Sequence, residues 1–132
     1  MTSVAERPAI SETPARVAAR RRLDALWRRG REFLGTELAI MGGAMTWVSE
    51  RHLVAAISNG GGFGVIACGS MNAQQLDAEI AGTFALTRRP FGVNLITLHP
   101  DLANLSDVCI RRGVTHIVLA GAIPSTAAVR RI

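Results

Sequence analysis

Apolar residues in this chain fall into short blocks punctuated by glycine, and the period changes from block to block. Between Ala15 and Phe33, positions Val17, Leu23, Leu26, Trp27, Phe33 and Leu34 recur at roughly helical spacing with arginines between them. That spacing predicts an amphipathic helix, with Gly35 as its stop. From Leu38 onward two patterns alternate. Leu38 to Met41, Phe63 to Ala67, Phe91 to Ile96 and His116 to Ala120 are short apolar runs without alternation, as strands covered on both faces read. Helical segments separate them. One opens at Ser49 as N-cap, with Leu53, Val54, Ala56 and Ile57 on its buried face. A second spans about Asn72 to Thr87, with Leu76, Ile80, Phe84 and Ala85 inward. A third runs from about Asp101 to Arg112, and Ser125 to Ile132 begins a fourth. Ser49-Glu50-Arg51-His52 has no Glu or Gln three residues after the cap, so it is not a full capping box. Residues 1–14, with Pro8 and Pro14 and no periodicity, read as a loose tail.

Strand, glycine, helix, glycine, strand is a βαβ unit, and a parallel pair needs such a crossover. Continuous β/α repetition leaves two architectures open, a doubly wound sheet or a (β/α)8 barrel. A typical barrel needs about 250 residues, and this chain has 132.

The glycines concentrate between Ile40 and Met71. Gly42-Gly43 leave the first strand, Asn59-Gly60-Gly61-Gly62 end the helix, and Gly69-Ser70 leave the second strand. Glycine where strands end lets a ligand approach bare backbone, which makes a cofactor site the leading expectation. For Gly42-Gly43-Ala44-Met45, close ligand approach and a tight strand-to-helix turn both remain open. Gly60-Gly61-Gly62-Phe63-Gly64 is superficially like the dinucleotide fingerprint, but it follows a helix and enters a strand, which is the wrong order. Gly60 or Gly61 is more simply a helix C-cap.

Composition narrows the class. At 48% hydrophobic, with mean hydropathy +0.25, the chain can bury a core and does not read as disordered. The net charge of +5 is uneven: residues 1–36 hold eight Arg against four acids, and residues 37–132 hold seven against six. The basic character therefore belongs to an N-terminal arm, for which a nucleic-acid or anionic-membrane role is open. A solvated helix face, with neither a nucleic-acid nor a membrane partner, is the preferred reading, because no aromatic–basic interleaving or DNA motif accompanies it. The Arg-rich N-terminus has some presequence character, which Glu6 and Glu12 oppose. No apolar run approaches the roughly 20 residues of a membrane span. Cys68 and Cys109 form no C-x-x-C motif and there is no secretory signal, so reduced thiols and a cytoplasmic location are expected.

Few residues carry obvious chemistry. Asn94 lies near the end of the apolar strand Phe91 to Ile96, where its amide must find partners in a ligand or a neighbouring loop. His52 lies early in a helix, His116 opens a strand, and His99 follows the third strand, more simply as a loop residue than as a catalyst. Cys68 reads as a small core residue. No metal-ligand spacing, P-loop or nucleophile elbow is present.

Three segments, Ile40-Met-Gly-Gly-Ala-Met-Thr-Trp-Val-Ser49, Ile57-Ser-Asn-Gly-Gly-Gly-Phe-Gly-Val-Ile-Ala-Cys-Gly-Ser-Met71 and Pro90-Phe-Gly-Val-Asn-Leu-Ile-Thr-Leu-His-Pro100, occur in this order. Together they resemble the nitronate monooxygenase family, formerly 2-nitropropane dioxygenases, related to FMN-dependent enoyl-thioester reductases. The resemblance covers about residues 22–131. Members usually have Pro where this chain has Ala39 and commonly Ala where Gly60 stands; neither change removes a polar contact.

The resemblance implies a TIM-type barrel with FMN across the C-terminal ends of its strands. It implies that the backbone of Gly43, Ala44 and Met45 contacts the flavin, that Asn94 hydrogen-bonds it, and that Leu119 to Pro124 leaves the fourth strand beside the ring. It assigns no catalytic residue and no metal ligand within this chain. The family's catalytic His follows strand five, and its phosphate loops follow the late strands, consistent with the barrel rule. Charge and spacing give a basic N-terminal tail and helix over residues 1–36. Over residues 37–132 the resemblance implies the N-terminal half of a (β/α)8 barrel, truncated after strand four. Open edges on the first and fourth strands predict weak stability, aggregation or homo-oligomers formed through those edges. The implied reaction is oxidation of an alkyl nitronate, a small-molecule substrate, with O2. Alternatives are enoyl-thioester reduction on the same fold and a non-catalytic interaction module.

Overall fold

The computed structural model describes residues 13–132. Most of the expected tail, with Glu6 and Glu12, lies outside the described residues. Helix α1 spans Pro14–Leu34. Thr13 caps it, accepting the Arg16 N–H at 3.4 Å, and Pro14 occupies the first turn, where a missing N–H costs nothing. Pro14 thus belongs to the helix, not to a tail. Gly35 ends α1 at φ 67°, and its N–H donates to the Arg31 carbonyl.

β1 (Met41–Gly42), α2 (Arg51–Asn59), β2 (Phe63–Ala67), α3 (Ala73–Leu86), β3 (Phe91–Ile96), α4 (Leu102–Arg111), β4 (His116–Ala120) and α5 (Thr126–Arg131) follow. The four strands form one sheet in the order β1-β2-β3-β4, parallel throughout, with Ala67 level with Asn94 and Asn94 level with Val118. This is the α/β architecture expected, with strands side by side in chain order as in the first half of a TIM-type barrel.

Strand alternation divides the core in two. On the helix side, Ile66, Cys68, Val93 and Leu95 pack with Val54 of α2, Leu76 and Ile80 of α3, and Leu105, Val108 and Cys109 of α4. Burying a side chain such as Ile66 or Leu95 fully contributes about 1.5–3 kcal/mol. On the other side, Phe63 and Val65 meet Leu34, with Ala44 and Val118 against them. α1 closes the N-terminal end of this inner face. The His116 imidazole lies edge-on to Phe33 and Phe63, with centroids 5.1 and 5.0 Å away, and its Nε2 is 2.7 Å from the Phe33 carbonyl oxygen.

Two glycines permit close packing. A Cβ on Gly64 would lie 2.4 Å from the Val54 carbonyl oxygen, so α2 rests directly on the β2 backbone. A Cβ on Gly82 would lie 2.6 Å from the Arg51 guanidinium, which crosses α3 to reach Glu79. Glu79 is 8% exposed and accepts from Arg51 Nη2 at 2.7 Å, Nε at 3.1 Å and the backbone N–H at 2.5 Å.

Several local expectations need correction. The first strand pairs only at Met41–Gly42, because Leu38 and Ile40 instead make single bonds, Leu38 N–H to Gly61 and Ile40 C=O from Phe63. The N-cap of α2 is Glu50, whose carboxylate accepts the His52 and Leu53 N–H groups at 3.0 Å, and not Ser49. In α2 the buried residues are Val54, Ala55 and Ser58, while Ala56 is exposed. Ser58 is buried because its hydroxyl links α2 to β2 and to the residue before β3, accepting the Gly64 N–H and donating to the Pro90 carbonyl. In α3, Glu79 and Thr83 take positions expected for Phe84 and Ala85. Phe84 is 43% exposed, with its ring edge-on to Phe91 at 4.8 Å. A capping box does exist, at Asn72 and Gln75 of α3.

Candidate functional site

The C-terminal ends of the four strands open on the inner face. There Ala67, Asn94 and Val118 form one level row across β2, β3 and β4. Asn94 is therefore the polar member of an otherwise apolar row, half-buried and flanked by hydrocarbon. Its backbone carbonyl is engaged, accepting from the Cys68 N–H at 3.4 Å and the Cys68 thiol at 3.0 Å. Its side-chain amide makes no hydrogen bond among the described residues. An amide offers two donors and an acceptor, so this group is available to a ligand bearing both.

The β1 exit is held by a residue that local spacing cast as a helix cap. The Ser49 hydroxyl accepts the Met45 N–H at 2.9 Å and donates to the Gly43 carbonyl at 3.1 Å. The Met45 carbonyl accepts the Val48 and Ser49 N–H groups, and the Ser49 carbonyl accepts the Ala67 N–H. One buried serine thus pins the loop over Gly43, Ala44 and Met45 and ties it to the end of β2. The Met45 N–H and Gly43 C=O are occupied by Ser49. A Cβ on Gly43 would meet nothing within 4 Å, whereas one on Gly42 would lie 2.4 Å from Ile57 Cδ1. The two adjacent glycines have different roles: Gly42 makes room for α2, and Gly43 is open. Beyond the loop, Trp47 adopts φ 66° and is 85% exposed, a backbone conformation uncommon for a bulky residue.

The β3 and β4 exits are joined by Thr97. Its Oγ1 lies 2.8 Å from the Ala122 nitrogen, whose N–H it accepts, and 3.0 Å from the Ala120 carbonyl, while its own N–H donates to Ala120 at 2.8 Å. This fixes the turn at Gly121, φ 101°, inside the Leu119 to Pro124 segment. Gly69 brings the β2 exit to the same place, since a Cβ there would lie 3.2 Å from Ile96 and 3.9 Å from Thr46. Sequence spacing offered no signal for Ser49 or Thr97 in these roles, because each acts across a loop.

Acid–base groups are absent from the row of Ala67, Asn94 and Val118 and from the next pair along, Ile96 and Ala120. His99 is occupied locally, its Nδ1 accepting the Asp101 N–H at 3.0 Å before α4, and His52 is exposed. His116 lies at the opposite, N-terminal end. Cys68 and Cys109 are free thiols on the helix side. Burial pushes their pKa values up to about 11 and about 12, for Cys109 with a further rise from nearby Cys68, so neither is a thiolate near neutral pH. Among the described residues no three His, Cys, Asp or Glu side chains come together as metal ligands. No helix among them is long and apolar enough to cross a membrane. The arrangement suits a planar ligand that lies against an apolar wall and presents heteroatoms to Asn94.

Comparison with known proteins finds relatives in sequence and in fold. A family model described as nitronate monooxygenase matches residues 28–123. A (3aS,4S,5R,7aS)-5-hydroxy-7a-methyl-1-oxo-octahydro-1H-indene-4-carboxyl-CoA dehydrogenase of Mycobacterium tuberculosis is 36% identical over 83 residues, covering 63% of this chain and 23% of that protein. A probable nitronate monooxygenase of Staphylococcus aureus is 39% identical over 72 residues, 53% of this chain and 20% of that protein. Among solved structures, FabK from Thermotoga maritima superposes with a TM-score of 0.68 at 36% identity, over 70% of this chain and 30% of that one. The chain thus spans less than a third of the length of each of these relatives.

Proposed function

We infer a function from one premise: the chain belongs to the nitronate monooxygenase family. Members of that family are FMN-dependent oxidoreductases acting on small molecules. On that basis we propose that the inner face supplies part of an FMN cradle, and the observation that carries this is the unengaged Asn94 amide between Ala67 and Val118. The residues fit such a group: a planar ring system needs an apolar wall, a polar contact at its edge and backbone it can approach. Ala67, Val118 and Ile96 form the wall, Asn94 the polar contact, and Gly43 with Ala44 the open backbone.

FMN held there would supply the redox chemistry. The work of this chain is to orient and exclude. Asn94 fixes the ring edge by hydrogen bonds, which the hydrocarbon on either side strengthens by keeping water away. Ser49 and Thr97 hold the exit loops, so that little ordering remains to be done on binding. No titratable side chain stands in the row, so the base that takes the substrate proton and the anchor of the phosphate are not among these residues.

The preferred reaction is oxidation of an alkyl nitronate with O2, following the family match over residues 28–123. A second reading, flavin-dependent chemistry on an acyl thioester, is supported by the likeness to the CoA dehydrogenase and to FabK. The test is to load the encoded protein with FMN and offer each substrate in turn. O2 uptake with an alkyl nitronate supports the first reading. Nicotinamide-dependent reduction of an enoyl thioester supports the second. Failure to bind FMN contradicts both.

A further inference from the structure

The first part of α1, from Pro14 to Trp27, precedes residue 28, where the family match begins. This arm is an amphipathic, strongly basic helix, and one of its faces is left open. We propose that the face of α1 formed by Arg22, Leu26, Arg29 and Phe33 docks on an anionic lipid bilayer, with the helix lying in the plane of the interface.

The spacing i, i+4, i+7, i+11 stacks these four side chains on one side of the helix. Leu26 is 80% and Phe33 72% exposed, and Arg22 and Arg29 are exposed beside them. The neighbouring side of the stripe turns inward: Leu23 and Trp27 face Glu37 and Leu38 across a cleft of about 530 Å³. On this open face Phe33 keeps one neighbour, the His116 imidazole, edge-on with centroids 5.1 Å apart, while most of both apolar side chains stays exposed. The face alternates cation and hydrocarbon, the pattern of a helix that lies in a membrane interface.

Charge identifies the occupant. α1 carries seven Arg against Asp24 and Glu32, so a second copy packed on this face would set like charges against each other. A nucleic acid would leave Leu26 and Phe33 unused. A bilayer with anionic headgroups meets both demands, with phosphates beside the guanidinium groups and acyl chains under Leu26 and Phe33. Sequence alone favours a solvated face for this arm and leaves an anionic surface open; the exposure of Leu26 between Arg22 and Arg29 favours the latter. The helix does not cross the membrane, being too polar to do so.

The experiment is co-sedimentation of the whole chain with vesicles of phosphatidylcholine alone or mixed equally with phosphatidylglycerol. The expected result is at least about tenfold more bound protein on the anionic vesicles, falling steeply in about 0.5 M salt, where exposed charges are screened. Leu26→Glu, at a position already exposed, should lose that binding by a similar factor with its circular dichroism unchanged. Arg22→Gln with Arg29→Gln should lose it without affecting the fold. Equal sedimentation on both vesicles, sedimentation on neither, or retention of binding by Leu26→Glu would overturn the proposal. Stronger capture on immobilised polyglutamate than on vesicles, unaffected by Leu26→Glu, would overturn it in favour of an acidic protein partner.

Discussion

The Ser49 hydroxyl accepts the amide hydrogen of Met45 at 2.9 Å, and through this bond the residue just before the α2 cap governs the loop that leaves β1. The same oxygen donates to Gly43, so the loop is clamped at both ends of its Ala44 peptide. A loop fixed before any ligand arrives costs less to order on binding.

Replacing Ser49 with Ala should expose that dependence. Ser49 is buried, and its loss leaves the Met45 N–H and the Gly43 carbonyl without partners. The expected destabilisation is about 1–3 kcal/mol, read as a lower urea midpoint at unchanged slope. An unchanged midpoint would mean that water replaces the hydroxyl without loss.

The glycines make a paired prediction. Gly64→Ala forces a methyl against the Val54 carbonyl, backbone against backbone, and should cost about 3 kcal/mol or more. Gly43→Ala meets open space at an ordinary φ and should change stability by no more than about 0.5 kcal/mol. Thermal melts of the two variants would check this, and equal losses would contradict it.

Alkaline pH should unfold the chain through its thiols. Cys68 and Cys109 rise by burial from an ordinary 9.0 to about 11 and about 12. The unfolded thiols therefore release protons at lower pH than the folded ones. Their contribution to stability is complete below the unfolded value near 9.0 and is lost as pH climbs toward the folded values. Urea midpoints measured across that window should fall, and less so in a Cys68→Ala, Cys109→Ala chain. A thiol reagent at neutral pH should label the native chain far more slowly than the unfolded one.

Much of the fold was legible because it rests on local pattern. Phe63 to Ala67, Phe91 to Ile96 and His116 to Ala120 are strands in the structure with the bounds their apolar runs predict. β1 is shorter than its apolar run predicts because hydropathy does not report pairing: Leu38 and Ile40 are apolar yet 37% and 50% exposed. On α3, Leu76 and Ile80 are buried as their spacing predicts, but Glu79 is buried where hydropathy places it outside, because Arg51, distant in sequence, makes its burial tolerable. Asn94 stood out as an amide in an apolar strand, and the register shows its neighbours to be Ala67 and Val118. Ser49 and Thr97 stayed hidden because their partners are set by loop geometry, which spacing does not encode.

The central claim, that the inner face takes the flavin through Asn94, is tested most directly by titrating FMN into the chain and into Asn94→Leu. Leucine matches the shape and removes only the amide. The account predicts saturable binding to the parent chain, a Kd about tenfold weaker for the variant from the loss of about 1.4 kcal/mol, and an unchanged urea midpoint, since the amide has no protein partner. Equal affinity for the two chains, or a loss of stability matching the loss of affinity, would contradict it.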